Sequence, residues 1–449
     1  MKTATGVEQK NTTGLSKMTQ QEIVQDKVLL LTGGAGFLGK VILEQVIRRR
    51  HELGLDKVIL LIRPDRKRSA EERFSEKIAK SPCFKLLPRG WEKDVEILSG
   101  DLTLTDWGLN SALRGSTAQR VTHIIHAAAS VDFDLPIKEA ASANITTTLS
   151  VLEFAKSCQK IANLVYVSTA YVRPHQDGSI PEALVDVSFE PAKLYDDMIH
   201  NRCHQIHLLK ETGHPNTYTL TKCVAEHLAV KNRGNLPLTI VRPSIISAAI
   251  KHPFPGWIDS YAALAAFVGV FGAGYLRVVA ADPEARLDVI PVDVVAETIV
   301  NQGFKYAPNI DQPLIIHAAV GLSNAMRIGD LPRHGQEYFS RLPSRRSVYI
   351  RCIGPLCLIR RIQHLWFERL PTKIVWLGAL FTGQKALAQR IAKLDHVLAS
   401  IFKIFPYFTH HSFDFKVRHS KDLDLAKIKY VDLICEGVQK NLLKESLNS

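Results

Sequence analysis

The sequence predicts an α/β protein: a Rossmann-type doubly wound parallel sheet followed by a C-terminal, mostly helical domain. Two observations predict this fold class. Short, almost wholly apolar runs alternate with helical stretches, as in a parallel sheet that is covered on both faces. The first apolar run is followed at once by a glycine-rich turn and then by an amphipathic stretch, which indicates a strand, a tight turn and a helix.

The apolar runs predict seven strands, which we expect at 27–32, 57–62, 94–99, 121–126, 163–168, 238–242 and 314–317. The clearest helices are expected at 39–50, 138–158, 216–231 and 292–302. After about residue 330 the pattern changes to basic and mostly helical. We therefore divide the chain into a disordered segment (1–22), a nucleotide-binding domain that includes a substrate-binding part (23–330) and a helical domain (331–449).

The bulk composition is that of a globular protein, with 449 residues, 46% hydrophobic and 22% charged. The nearest candidate for a transmembrane helix, 261–276, is short of a bilayer span. Seven cysteines are scattered without a C-x-x-C pair, so we expect no metal site and mostly buried thiols. This cysteine usage favours a reducing, cytoplasmic compartment.

Positive charge is concentrated in one part of the chain. The net charge is +13, and the stretch 331–373 contains nine Lys or Arg and two acids, a local balance of +7. An anionic membrane surface or a phosphate-bearing ligand such as CoA would complement it, and a solvated basic face is the alternative. Nucleic acid is not expected, because no nucleic-acid motif accompanies the charge. Peripheral membrane association therefore stays open, and the sequence says nothing of oligomeric state.

The glycine turn has the spacing G-x-x-G-x-x-G, at Gly33, Gly36 and Gly39. Such a turn brings the backbone close to a pyrophosphate, and the helix N-terminus offers N–H groups and the positive end of its dipole. A tight turn without a ligand is the alternative. We expect cofactor contacts from Thr32, Gly33, Gly36, Phe37, Leu38 and Gly39.

The ends of later strands offer further cofactor contacts. Arg63 follows the second strand, where NAD-preferring sites usually place an acid, and an arginine there suits the 2′-phosphate of NADP. Arg66 or Arg68 could assist it, and the predicted cofactor is NADPH. An aspartate after the third strand could reach the adenine amine, and small residues after the fourth let a cofactor lie against the sheet. The other expected contacts are Asp101, Leu102, Ala128 and Pro243.

The strongest chemical signal is the pair Tyr218 and Lys222, which lie four residues apart on one face of a helix. A nearby ammonium lowers the pKa of a phenol, so the tyrosine can act as acid or base in carbonyl reduction. The lysine can also hold the ribose hydroxyls beside the nicotinamide, so both residues are expected cofactor contacts as well. A hydroxyl residue at the end of the fifth strand, Ser168 or Thr169, can hydrogen-bond the carbonyl oxygen. In this order along the chain, the three features predict a carbonyl-reducing site.

The motif order resembles the extended short-chain dehydrogenase/reductase superfamily, and finer segments resemble its fatty acyl-CoA reductases. The resemblance covers roughly residues 25–320 and continues more loosely into a C-terminal helical domain. Besides the glycine turn, it rests on the segments Val167–Val172, His214–Lys222, Ile240–Ile245, Pro253–Asp259, Asp288–Asp293 and Pro406–Thr409.

The resemblance implies NADPH-dependent reduction of a long-chain acyl-CoA to an aldehyde and then to a fatty alcohol, with release of CoA. It implies that Tyr218 and Lys222 are the catalytic pair and that Thr169, rather than Ser168, is their hydroxyl partner. Three alternatives stay open: a reductase for carrier-protein thioesters, one that stops at the aldehyde, and a non-catalytic NADP-binding sensor or scaffold. Arg63 and the helical domain speak against a nucleotide-sugar epimerase.

Other segments acquire candidate roles from this resemblance. The loop 253–259, with an exposed type of tryptophan at 257, could border the acyl entrance. The stretch 262–273 could line an acyl channel or belong to an ordinary core. The helical stretches around Trp366, 374–377 and 401–405 suit interfacial helices, although core faces of a helical domain are the favoured interpretation.

Overall fold

A seven-stranded parallel sheet forms the centre of the computed structural model, which describes residues 26–261, 264–305, 311–342, 347–418, 423, 425 and 428–443. The predicted disordered segment, 1–22, lies outside the described residues. The strands are β1 (Lys27–Thr32), β2 (Leu55–Ile62), β3 (Val95–Ser99), β4 (His123–His126), β5 (Asn163–Val167), β6 (Leu238–Pro243) and β7 (Leu314–Ala318). Their order in the sheet is β7-β6-β5-β4-β1-β2-β3.

The strand order reverses between β1 and β4. From β1 the chain adds β2 and β3 on one side and then returns to place β4 on the other side, with Leu29 opposite His123. All six strand pairs are parallel. A reversal of this kind opens a crevice at the carboxyl edge of the sheet, where ligands bind in open α/β folds.

Both faces of the sheet are buried, because successive side chains of a strand point to opposite sides. In β1, Leu29 and Leu31 enter one hydrophobic core and Val28 and Leu30 enter the other. Helices α1 (Phe37–Arg48) and α3 (Val292–Phe304) cover the first face, and α2 (Thr217–Asn232) covers the second. The predicted doubly wound fold is confirmed.

The predicted elements are present with small differences in their bounds. Strand β2 begins at Leu55 and β4 begins at His123. The helix expected at 138–158 is interrupted by a π-turn at Ser142–Thr146. The remaining α-helices of the first part are Arg50–Leu53, Ala70–Phe74, Ser111–Arg120, Ile137–Ala141, Thr147–Ser157, Pro191–Ile199, Gln205–Thr212 and Leu264–Gly272.

The chain beyond residue 330 is mostly helical, as expected. Its helices are Leu331–Phe339, Leu358–His364, Leu370–Phe381, the long α4 (Lys385–Thr409) and Tyr430–Gly437. Two short strands join it to the preceding part: Cys352–Gly354 pairs with Val278–Ala280, and Asp414–Phe415 pairs with Ser179–Ile180. The boundary at 330 stays a prediction. Among the described residues, every helix is too short or too polar to cross a membrane.

Candidate active site

The carboxyl edge of the sheet brings most of the expected site residues together. Because parallel strands end at the same edge, residues that follow them in sequence become neighbours in space. The glycine turn follows β1, and Thr169 lies just beyond the end of β5. The other residues at this edge are Arg63 after β2, Asp101 and Leu102 after β3, Ala128 after β4 and Pro243 as the last residue of β6.

The glycine turn is packed so tightly that two of its positions exclude a side chain. Gly33 has a φ of +77°, and a Cβ there would lie 2.5 Å from the backbone nitrogen of Ala128. A Cβ on Gly39 would overlap the carbonyl oxygen of Gly33. Gly36 precedes the first turn of α1, which contains no acidic residue and whose first N–H groups have no acceptor within the helix. This is a cradle that fits a pyrophosphate.

Thr32, at the end of β1, has a structural role in the same turn. Its side chain is fully buried, and its hydroxyl lies 2.8 Å from Nδ1 of His126 and accepts the N–H of Ala128 at 3.3 Å. Burial lowers the pKa of His126 to about 3, so the imidazole is neutral. The pair fixes the ends of β1 and β4 on either side of the crevice.

Arg63 and Asp101 meet across the ends of β2 and β3. The guanidinium of Arg63 is largely exposed and lies 3.9 Å from the Asp101 carboxylate. The other oxygen of Asp101 accepts hydrogen bonds from the backbone and hydroxyl of Thr103. Arg68, by contrast, is ion-paired with two acids, Asp65 of its own loop and Glu76 of the helical segment that follows. Arg63 is therefore more available to a ligand than Arg68.

Tyr218, Lys222 and Thr169 converge where β5 ends. The ammonium of Lys222 donates to the carbonyl oxygen of Val167, the last residue of β5, at 2.8 Å. One helical turn earlier, the phenol of Tyr218 lies near enough to the Thr169 side chain for that side chain to lower its pKa. Thr169 and Lys222 are buried and Tyr218 is half-buried. The three side chains thus lie near the carboxyl end of β5.

Burial acts in opposite directions on the two ionisable groups. It raises the pKa of Tyr218 to about 12, against a smaller lowering from the hydrogen bond to Thr169. It lowers the pKa of Lys222 to about 7, against a smaller rise caused by the carboxylate of Glu226. The phenol is therefore a proton donor at neutral pH, and the charge of Lys222 depends on its neighbours.

A buried ion pair lies directly behind Lys222. Glu226, one turn further along α2, forms a bidentate pair with Arg242 of β6, at 2.9 Å and 2.5 Å, and both side chains are 1% exposed. A third guanidinium nitrogen donates to the carbonyl oxygen of Ala183 at 2.9 Å. Sequence reasoning missed this pair, although the spacing of four from Lys222 to Glu226 could have indicated a shared helix face.

Aromatic rings, one of them from the C-terminal helices, pack beside Tyr218. Phe408, near the end of α4, lies 5.0 Å from the ring of Tyr171 and 6.0 Å from that of Phe133. Phe133 in turn lies 5.6 Å from the ring of Tyr218. These rings form an apolar wall beside the phenol. No sequence signal placed Phe408 near Tyr218.

One expectation for the other segments needs correction, and two segments follow the alternative of an ordinary core. Trp257 is buried, not exposed, and the loop that carries it is held to α1 by an ion pair between Lys40 and Asp259. In 262–273, the first two residues lie outside the described residues and the helix Leu264–Gly272 is mostly buried. The segment 401–405 also packs inward, with Ile401 buried and the other apolar residues half-buried.

Two aspartates of the segment Asp288–Asp293 hold the backbone instead of a ligand. Asp288 accepts the Ser244 hydroxyl at 2.6 Å and the N–H of Gly321 at 2.9 Å. Asp293 accepts the N–H groups of three successive residues, 250–252, at 2.8 to 3.0 Å. Asn144, which sequence reasoning also missed, links the N–H of Ser130 to the hydroxyl of Thr221.

A parallel sheet with a glycine cradle at its switch point, and with Tyr218, Lys222 and Thr169 beside it, is the arrangement expected of a nicotinamide-dependent oxidoreductase. A family model described as "Male sterility protein" matches residues 31–299. In overall structure the chain is similar to the terminal R domain of the myxalamid biosynthetic pathway, with a TM-score of 0.61 and 20% identity, over 94% of this chain and 91% of that one.

Two curated relatives extend the similarity beyond the nucleotide-binding part. "Fatty acyl-CoA reductase wat" of Drosophila melanogaster is 30% identical over 88% of this chain and 77% of its own length. "Fatty acyl-CoA reductase 2" of Mus musculus is 29% identical over 94% of this chain and 86% of its own. The chain belongs to the fatty acyl-CoA reductase family.

Proposed function

We propose that this protein uses NADPH to reduce a long-chain acyl-CoA to the aldehyde and then to the fatty alcohol, with release of CoA. The observation that carries the proposal is the convergence of Tyr218, Lys222 and Thr169 beside the glycine cradle. Family membership supports the acyl-CoA substrate. The aromatic wall of Phe133 and Phe408 supports an apolar acyl chain.

The proposed chemistry assigns a task to each of the three groups. A reduced nicotinamide, when bound, supplies the hydride. The Tyr218 phenol, protonated at neutral pH, donates its proton to the carbonyl oxygen, and the Thr169 hydroxyl donates a second hydrogen bond to the same atom. The Lys222 ammonium favours the ionised phenolate that this transfer leaves behind. Cys223 beside it is buried, and burial raises the pKa of its thiol to about 12, so we assign it no role as a nucleophile.

The stoichiometry of cofactor oxidation tests the final product. With palmitoyl-CoA, we expect two NADPH to be consumed for each CoA released and hexadecanol to accumulate. Absorbance at the reduced-nicotinamide band, a thiol assay for CoA and chromatography of the lipid extract measure the three quantities. One NADPH per CoA with aldehyde as the product would replace the alcohol-forming proposal by an aldehyde-forming one. Reduction of a carrier-protein thioester but of no acyl-CoA would overturn the proposed substrate.

Replacement of Arg63 by alanine tests the preference for NADPH. Arg63 is the exposed cation at the end of β2, and a hydrogen bond to a charged group contributes about 1.5–3 kcal/mol. We expect the dissociation constant for NADPH to rise by about tenfold or more and that for NADH to stay unchanged. Titration of the fluorescence of the bound reduced nicotinamide measures both constants.

Arg120→Ala is the matched control, since Arg120 is half-exposed, is paired with Glu96 and lies on the helix Ser111–Arg120, away from the proposed phosphate contact. It should change neither constant. An equal loss of both cofactors in Arg63→Ala would refute the assignment of this residue to the 2′-phosphate.

A further inference from the structure

A long helix in the C-terminal domain turns its apolar side chains towards the outside. The segments Leu358–His364, Leu365–Arg369 and Leu370–Phe381 follow one another without a break, and a turn at Gly383 leads into α4, which packs alongside. Phe381, at the tip, is 88% exposed. We call the following six exposed residues the outward face: Leu358, Ile362, Trp366, Ile374, Leu377 and Phe381.

The side of this helix that faces the protein is largely polar. Glu368 is buried, lies 2.5 Å from Nδ1 of His364 and accepts the backbone N–H groups of Arg277 and Val278 at 2.5 and 2.7 Å. Thr372, one turn further along, is also buried and donates to Asp395 at 3.2 Å. A helix on a water-exposed surface normally shows the reverse arrangement, with its apolar side turned inward. The outward face is therefore suited to an apolar environment.

The charges around the outward face have one sign. All residues from 358 to 390 are described, and within this range the exposed charged side chains are Arg361, Lys373, Lys385 and Arg390. The single acid in the range, Glu368, is buried. Tryptophans at 366 and 376 add rings of the kind that settle at the boundary between hydrocarbon and water. Apolar side chains with a purely basic rim match an anionic lipid surface.

We propose that the outward face binds the surface of an anionic lipid bilayer. The helix would lie in the headgroup layer, with Trp366, Ile374 and Phe381 among the acyl chains and Arg361, Lys373 and Lys385 among the lipid phosphates. The binding depends only on this helix and its rim, so it is independent of the proposed catalytic activity. A second protein is the less favoured occupant, because a rim of one sign provides no acids to pair with an ordinary mixed-charge surface.

Sedimentation of the full chain with lipid vesicles tests the proposal. We expect binding to vesicles of phosphatidylcholine with phosphatidylserine, and weaker binding to phosphatidylcholine alone or at high salt. The double variant Trp366→Ser/Phe381→Ser should reduce the partition coefficient by at least about tenfold, because two exposed rings no longer enter the hydrocarbon. Lys373→Glu/Lys385→Glu should abolish the preference for phosphatidylserine.

Ile206→Ser is the matched control, since Ile206 is equally exposed but lies on the helix Gln205–Thr212, outside the outward face. It should bind vesicles as the unmodified protein does. Unaltered melting temperatures of the variants show that they are folded, and both double variants change only exposed side chains. Failure to bind vesicles, or equal binding by all variants, would overturn the proposal. A dimer in light scattering that Trp366→Ser/Phe381→Ser converts to a monomer would assign the face to protein contact instead.

Discussion

Replacement of Tyr218 by phenylalanine is expected to lower the rate of acyl-CoA reduction by a factor of about 10² to 10⁴, the range that a positioned general acid contributes. The phenol hydroxyl is the group that meets Thr169 beside Lys222, and phenylalanine removes it while keeping the ring contact with Phe133. NADPH binding should change little. Single-turnover measurements of NADPH oxidation with saturating palmitoyl-CoA separate the chemical step from binding.

Tyr338→Phe is the matched control for this loss. This variant also removes a phenol hydroxyl, but from the helix Leu331–Phe339, outside the proposed catalytic group. The Tyr338 hydroxyl donates a hydrogen bond to Gln439 at 2.8 Å. Its rate should stay within about twofold of the unmodified protein, as expected for a surface-side hydrogen bond. A Tyr218→Phe variant that keeps its rate would mean that another group supplies the proton.

Replacement of Arg242 by methionine is expected to lower the free energy of unfolding by about 3–5 kcal/mol, since it leaves the buried carboxylate of Glu226 without its partner. Urea unfolding followed by circular dichroism measures the change. An unpaired Glu226 carboxylate one turn from Lys222 also changes the electrostatic surroundings of the ammonium, so the pH profile of the reaction should shift.

The double variant Arg242→Met/Glu226→Leu distinguishes a lost ion pair from lost packing. Removal of both partners leaves no buried charge, so the double variant should be more stable than Arg242→Met alone. The single variant Glu226→Leu completes the comparison. If the stability losses of Arg242→Met and Glu226→Leu simply add in the double variant, the ion pair makes no coupled contribution. The explanation in terms of an unpaired carboxylate would then be wrong.

The sequence predicted those parts of the site that local rules determine. A buried parallel strand needs apolar residues on both faces, so β1 to β7 were visible as apolar runs. The ends of such strands lie at one edge, which is why Arg63 and Asp101, 38 positions apart, could be assigned to one site before their contact was known. The Tyr218–Lys222 spacing follows from the helical repeat.

Contacts between distant parts of the chain were beyond local rules. Glu226 on α2 pairs with Arg242 on β6, the strand beneath that helix. Phe408 on α4 reaches the rings of Tyr171 and Phe133 from the far end of the chain. The burial of the helical stretches around Trp366 and 374–377 was predicted wrongly. Packing of their apolar residues in a core was favoured, but these residues are exposed. Apolar residues occur on most sides of this helix, so the hydrophobic periodicity does not indicate which side is buried. The buried side is set by the hydrogen bonds of Glu368.

The helix that carries the outward face begins beside the catalytic end of the molecule. The N–H of Leu356, just before this helix, donates to Nε2 of His410 at 3.0 Å, and His410 follows directly on α4, which carries Phe408. A protein held on lipid in this way would encounter an amphiphilic substrate by lateral diffusion, in two dimensions. Its turnover would then follow the mole fraction of acyl-CoA in the bilayer rather than the bulk concentration, so that dilution with inert lipid would slow it.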